Sequence, residues 1–397
     1  MKRSALERFR RFVIHGVRLG GYLERPGDGR VRPQIPARDL LWSLLIGQVL
    51  REGSHHAIEA LVHSSARRGL GVMRSFGDDA LGYFTERLAV GPMRQALAGV
   101  VRGAKRNKAF ENTRWIGLAL DGTGAGGSAK QHCALCHPLT NAAGTVSGHL
   151  HHLSLISVVG TGLTLPLDVE PYPPGDSELR ASERLFERTI GRLGRCFADY
   201  VVVDGAYANA PFLHRIRGHG LHVVARLKDN LPTLFNAARQ RFEGRPADQT
   251  FTVGADRVEV WDADDFDPWE TLNWTTVRVL RYRQYKPDGT IHEAYWLTDW
   301  PSAQIGSRAL FGVAKSRWEI ENQGFNDAKN RHHLEHIYHH HPTSLLINWL
   351  LVMFALTLER LYRLRYLHRG RHRPRTAIDL LRAFRLSLAT PLHYDSS

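Results

Sequence analysis

Cysteine is the scarcest informative residue in this chain. Three in 397 residues exclude a disulfide framework and fit an intracellular protein with reduced thiols. Long apolar runs are also missing. The most apolar stretch, 345–358, falls short of the ~20 residues a membrane span requires. It contains Asn348 and Trp349 and reads as a buried core helix. The N-terminus, MKRSALERFRRFVIHGV, lacks the apolar centre of a signal peptide. The expected location is therefore cytoplasmic, with no membrane partner. Acidic residues are few against basic ones, 39 Asp and Glu to 53 Lys and Arg, for a net charge of +14. Arg-rich segments at both ends make a polyanionic partner the natural expectation. No internal repeat is visible.

What is present suggests several units. Residues 1–110 read as helical, with Leu40, Leu41, Leu44, Leu45 and Val49 at helical spacing. A second helix is expected from Asp78 and Asp79 through Leu81, Phe84 and Leu88, and Arg102, Lys105, Arg106 and Lys108 form a basic link. A plain helical bundle and a DNA-binding domain both fit this region. From 111 to 229 the pattern turns to strands at 116–120, 149–159 and 163–169, a helix at 177–195, a strand at 200–203, a short helix at 212–216 and a strand at 222–227. The first three strands can form an antiparallel meander, whereas those after the helices need parallel pairing. Residues 230–300 read as a β-rich insertion with turns such as Pro287-Asp288-Gly289. Residues 301–365 return to helix, and 366–397 form a basic tail, opening within RLRYLHRGRHRPR.

Asp121 and Asp204 each follow an apolar strand and precede Gly. Either one alone is an ordinary turn dipeptide, and Asp168 is a third acid in a similar place. If the first and fourth strands are parallel neighbours, however, Asp121 and Asp204 lie side by side, and their repulsion calls for a cation. Mg²⁺ takes carboxylate oxygens and keeps positions for water and phosphate. A third acid would come from the helical stretch SRWEIENQGFNDAK, where Arg317, Glu321, Phe325 and Lys329 follow at i+4 steps and Glu319 turns to the opposite face.

The segments LALDGT, VVVDGAY and RWEIENQGFNDAK together resemble the DDE transposases of bacterial insertion sequences. The resemblance spans about 116–329 and is to the branch whose ribonuclease H-like core is interrupted by a β-strand insertion. It implies an α/β fold with a mixed sheet and flanking helices. It implies a catalytic triad of Asp121, Asp204 and Glu321 on two Mg²⁺ ions, with Mn²⁺ able to substitute. Phosphate or DNA contacts would come from Arg317, Lys329 and Tyr207. The activity implied is metal-dependent cleavage at transposon ends and strand transfer into target DNA. The partners implied are double-stranded DNA, as terminal inverted repeats and as target, and a homodimer or larger assembly. A ribonuclease H-like nuclease without strand transfer and a non-catalytic DNA-binding derivative are the alternatives. The family pattern in the third segment is Tyr, two residues, Arg, three residues, Glu, six residues, Lys. Here Ala314 replaces the Tyr, and Lys329 comes one residue late. Trp261, Trp269, Trp274 and Trp296 lie in the insertion, where they either fill a core or stack on an unpaired base.

One motif stands apart from this set. Cys133 and Cys136 form a CxxC flanked by His132 and His137, a spacing that can hold structural Zn²⁺. His132 or His137 could add one ligand, and His149, His151 or His152 another.

Overall fold

The apolar segment before Asp121 forms the central strand of the protein. In the computed structural model, which describes residues 4–131, 133–366 and 376–389, β1 (Gly117–Ser128) is flanked on one side by β3 (Val146–Val159) and on the other by β5 (Tyr200–Val203). The short β2 (His137–Thr140) and β4 (Leu165–Tyr172) lie along the far edge of β3. The β1, β3 and β4 pairings are antiparallel; β5 pairs in parallel with β1 and with β6 (His222–Leu227). The order β4-β3-β1-β5-β6 is that of a ribonuclease H-like core, as the family resemblance implied.

The pairing differs from expectation at one important point. β1 does not turn at Asp121-Gly122. It continues to Ser128, paired with β3 through a bulge between Gly124 and Gly127. The reason is that β3 is itself long and supplies a partner for the extension. A strand partnered along one edge has no cause to turn at a dipeptide that merely permits a turn.

The β-rich region 230–300 is continuous with this sheet. β7 (Gln249–Val253), β8 (Asp256–Phe266), β9 (Val277–Tyr285) and β10 (Ile291–Thr298) form an antiparallel run, and β10 pairs with β6. The backbone groups on the outer edge of β6 are thereby satisfied rather than left open to another chain. This region also contains a helix, Pro232–Phe242. Its signal was in the sequence: Pro at the first helical position, then Leu234, Ala238 and Phe242 at i+4 spacing, all buried.

Helices cover the sheet. Glu178–Leu193 packs on β3 and β4. The apolar stretch near the C-terminus lies in the helix Pro342–Tyr366, which packs on β4 and on the N-terminal helices Ala37–Leu50 and Asp78–Arg87. Leu345, Leu350, Met353 and Leu358 are fully or almost fully buried. This is a core helix, as its Asn348 and Trp349 suggested. The basic residues 102–106 end the helix Val90–Arg106 and are no separate link. Lys105 is also committed internally, donating to the carbonyls of Cys196 and Phe197 at 2.7 Å each. Of the basic tail, 367–375 and 390–397 lie outside the described residues; Ala377–Ala389 is a helix packed near the N-terminus.

Candidate active site

The position of Asp121 follows from strand register. Gly117, Leu118 and Ala119 of β1 stand beside Tyr200, Val201 and Val202 of β5. Two steps further in the same register, Asp121 falls beside Asp204. Neighbouring strands are about 4.8 Å apart and side chains at paired positions leave the same face, so the two carboxylates are held as neighbours by the backbone itself. Asp168 is separated from them by the same logic. It pairs with Ile156, which pairs with Leu120, so it leaves the opposite face. There Arg94 and Arg188 each donate Nε to it at 2.8 Å. It is a buried structural acid.

Glu321 reaches this site on a helix that is irregular where it matters. Residues 317–332 begin as α-helix, widen into a π-turn over Ile320–Phe325, and resume as α-helix over Asn326–His332. The wide turn rests on β3: a Cβ on Gly324 would meet Leu155 and Ile320 at 3.3 Å. Leu155 is the cross-strand partner of Asp121. A side chain at 324 would press on Leu155 and Ile320 at the level of the acids. The π-turn also explains the late lysine. A π-turn absorbs one extra residue, so Lys329, eight positions after Glu321, takes the angular position that seven would reach in an unbroken α-helix. Its ammonium is held by Glu335 at 2.8 Å.

Arg317 is the hub. It is buried, and its guanidinium donates to Glu321 Oε1 at 2.6 Å and to Asp121 Oδ2 at 3.4 Å. Lys228 donates to Asp204 Oδ2 at 2.9 Å. Lys228 was not anticipated, although the signal was there. It follows β6 as Asp204 follows β5, and β5 and β6 are parallel neighbours, so their C-terminal ends coincide.

The two aspartates are tuned in opposite directions. Burial raises Asp121 to about 6; Arg317 opposes this, while the negative charges of Glu321 and Glu178 add to it. Burial acts upward on Asp204 too, but hydrogen bonds from Lys228 and the Gly205 amide, with the charges of Lys228 and Arg317, bring it below its ordinary value.

Glu178 was missed by sequence reasoning, which saw in this stretch only a helix. Ser177 is its N-cap. The next residue extends its carboxyl over the backbone of Gly122, where any side chain would collide with it. Tyr207 donates its hydroxyl to Glu178 Oε1 at 2.7 Å. This corrects the expectation that Tyr207 contacts DNA: it is buried, and burial, then Glu178, push its hydroxyl far up from its usual range. It orients Glu178 from inside the protein.

The remaining residues sort simply. Glu319 faces away from the acids, accepting from the Gly160 amide at 3.0 Å and the Thr164 hydroxyl at 3.1 Å. Trp261, Trp274 and Trp296 are buried and Trp269 packs on the core, so the four serve the interior of the sheet. Cys133 and Cys136 lie beside His151, beyond the acids along the β1–β3 hairpin. Among the described residues, the carboxylates of Asp121, Asp204 and Glu321 do not all fall within 4.8 Å of one another, because Arg317 stands between two of them.

A ribonuclease H-like sheet with acids on adjacent parallel strands, faced by a third on a crossing helix, defines a class of phosphoryl-transfer folds. The family described as "Transposase DDE domain" matches residues 141–358, more than half of the chain, and the protein belongs to that family. The match begins after Asp121, so the first acid rests on register and the later motifs on both. Among solved structures, the chain is similar to the piggyBac transposase in a synaptic complex with hairpin DNA. The two are 11% identical over 97% of this chain and 80% of that one, with a TM-score of 0.50. At that identity the likeness is one of fold. No curated protein matches the sequence.

Proposed function

We propose that the protein is the transposase of a bacterial insertion sequence. It cleaves DNA at the terminal inverted repeats and joins the freed 3′ hydroxyls to target DNA in a cut-and-paste reaction. The observation that carries the reading is the parallel register that sets Asp121 beside Asp204, with Glu321 linked to Asp121 through one guanidinium, in a chain of the transposase DDE family.

The donor set fits hard divalent cations. All the candidate ligands are carboxylates, the donors that hard divalent cations take. Asp121, Asp204 and Glu321 would hold Mg²⁺, which supplies Lewis-acid stabilisation of phosphoryl transfer when bound. Two ions spread their ligands over a longer span than one, which suits acids that do not close on a single point. Arg317 and Lys228 supply the positive charge that holds the acids together, and both are suited to phosphate oxygens. Glu178 adds negative charge behind Asp121 on the opposite side of β1. The basic charge of the whole chain favours DNA. Joining two transposon ends calls for at least a dimer, with the helical N-terminal region as the DNA-end reader.

The test is an assay with purified protein, Mg²⁺, labelled DNA carrying the inverted repeat that flanks the gene, and a target plasmid. Transposase activity yields cut ends and joined products. Cut ends with no joining would replace the reading by a nuclease; binding without cutting would replace it by a non-catalytic derivative.

A further inference from the structure

Beyond the acids, the β1–β3 hairpin carries a second cluster that the proposed reaction does not use. Cys136 and the ring of His151 are buried, and Cys133 is half-buried. The sulfurs are 3.8 Å apart, and His151 Nε2 is 3.3 Å from Cys133 Sγ and 3.4 Å from Cys136 Sγ. We propose that Cys133, Cys136 and His151 are ligands of a structural zinc ion that clamps the loop between β1 and β2 onto β3.

Three observations carry this. First, the spacing is that of coordination. With Zn–S of about 2.3 Å and Zn–N of about 2.0–2.1 Å, a tetrahedral ion sets its sulfurs about 3.8 Å apart and each sulfur about 3.6 Å from the nitrogen. The observed triangle lies within a few tenths of an ångström of these values. A disulfide is excluded, since it needs sulfurs at about 2.05 Å.

Second, the alternative of thiol–imidazole hydrogen bonds does not account for the arrangement. An imidazole nitrogen has one lone pair in the ring plane. It can accept from one thiol, yet two sulfurs face Nε2 at nearly equal distance. Three ligand groups at mutual distances of 3.3–3.8 Å are what a cation organises.

Third, the ligands come from places a clamp would join. Cys133 and Cys136 belong to the loop between the end of β1 and the start of β2, closed by a turn in which the Cys136 amide donates to the Cys133 carbonyl at 3.2 Å. His151 is in the long strand β3, with its ring against Trp349 of the core helix at 6.1 Å. Other imidazoles are placed elsewhere. His137 is engaged with the Tyr172 carbonyl at 2.8 Å and packs edge-on against His152. The His340 ring stands 6.0 Å from that of His151. His132 lies outside the described residues.

The site is separate from the acids. His151 is four residues along β3 from Leu155, the partner of Asp121, about 13 Å at 3.3–3.4 Å per residue. The clamp braces the far end of the strand that carries Asp121.

The test uses the full-length protein freed of any affinity tag, with metal content measured by mass spectrometry. Wild type should hold close to one equivalent of zinc. Cys133→Ser, Cys136→Ser and His151→Ala should each fall below a tenth of an equivalent, while Cys196→Ser, at the exposed third cysteine, should keep the full equivalent. Against failure of the variants to fold, wild type is also stripped and reloaded with Co²⁺. The intense visible bands of tetrahedral thiolate-bound cobalt should appear and be displaced by Zn²⁺ but not by Mg²⁺. Wild type with under a tenth of an equivalent after zinc dialysis, an absence of those cobalt bands, or zinc retained in all three ligand variants would each overturn the proposal.

Discussion

The two clusters on the β1–β3 hairpin make an instructive contrast. Around Asp121 the groups are hard oxygen donors, partly open to solvent: the side chains of Asp121, Asp204 and Glu321 are 18%, 28% and 41% exposed. They are spaced by protein cations and do not close on a point. Around His151 the groups are soft donors, shielded, and already at coordination distance. An open site can exchange ligands and admit a substrate; a closed one can only hold. The same two strands therefore carry a site suited to turnover and, some 13 Å away, one suited to bracing.

The sharpest way to break the comparison is to remove the acids singly. Asp121→Ala, Asp204→Ala and Glu321→Ala should each lower DNA cleavage by on the order of 10³-fold or more while DNA binding, measured by gel shift, stays within a few-fold. Substantial cleavage by any of the three would remove that residue from the site. Metal removal comes next. A brief wash with EDTA should stop cleavage, and Mg²⁺ alone should restore it with the zinc content unchanged. Recovery that required zinc would merge the two sites into one.

Titration tests the electrostatics of the open site without metal. A partly buried carboxyl raised from 3.8 to about 6 keeps its proton longer in the folded state than in the unfolded one. Its contribution to folding stability should therefore fall as pH rises from about 4 to about 6, by on the order of 3 kcal/mol, and stay lower above that. Asp121→Asn should lack this loss. In EDTA it should melt above wild type at pH 7.5 and level with it below pH 4; a gap between the two proteins that does not widen through this window would contradict the assignment. The smallest effect belongs to Glu319. Glu319→Ala deletes the acceptor for Gly160 and Thr164 and should cost about 1–3 kcal/mol in thermal or urea unfolding, with cleavage per folded molecule retained. Lost cleavage with unchanged stability would reverse the roles of Glu319 and Glu321.

The strand and helix alternation from 116 to 227 was legible because buried strands are apolar, amphipathic helices are periodic, and crossovers constrain pairing. The site was legible less evenly. Asp204 does end its strand, as its sequence suggests. Asp121 does not, because a long partner strand overrode a turn dipeptide. Glu178 was hidden, since its role arises from the room that Gly122 leaves, four elements earlier in the chain. Lys228 could have been found by applying to β6 the same adjacency used for β5.

By itself, the sequence determined which residues carry chemistry: acids before glycine after apolar runs, a CxxC, an Arg and a Glu four apart. It also determined the elements they ride on, since periodicity and residue type are local properties. Tertiary structure alone decided which of these groups meet. Asp121 stands beside Asp204 and not Asp168 through register and side-chain alternation. Glu321 rather than Glu319 faces Arg317 through helix rotation and a π-turn seated on Leu155. Of five histidines near the cysteines, the described structure sets His151 against both. Each of these is set by distances between residues far apart in the chain, and no local pattern encodes such a distance.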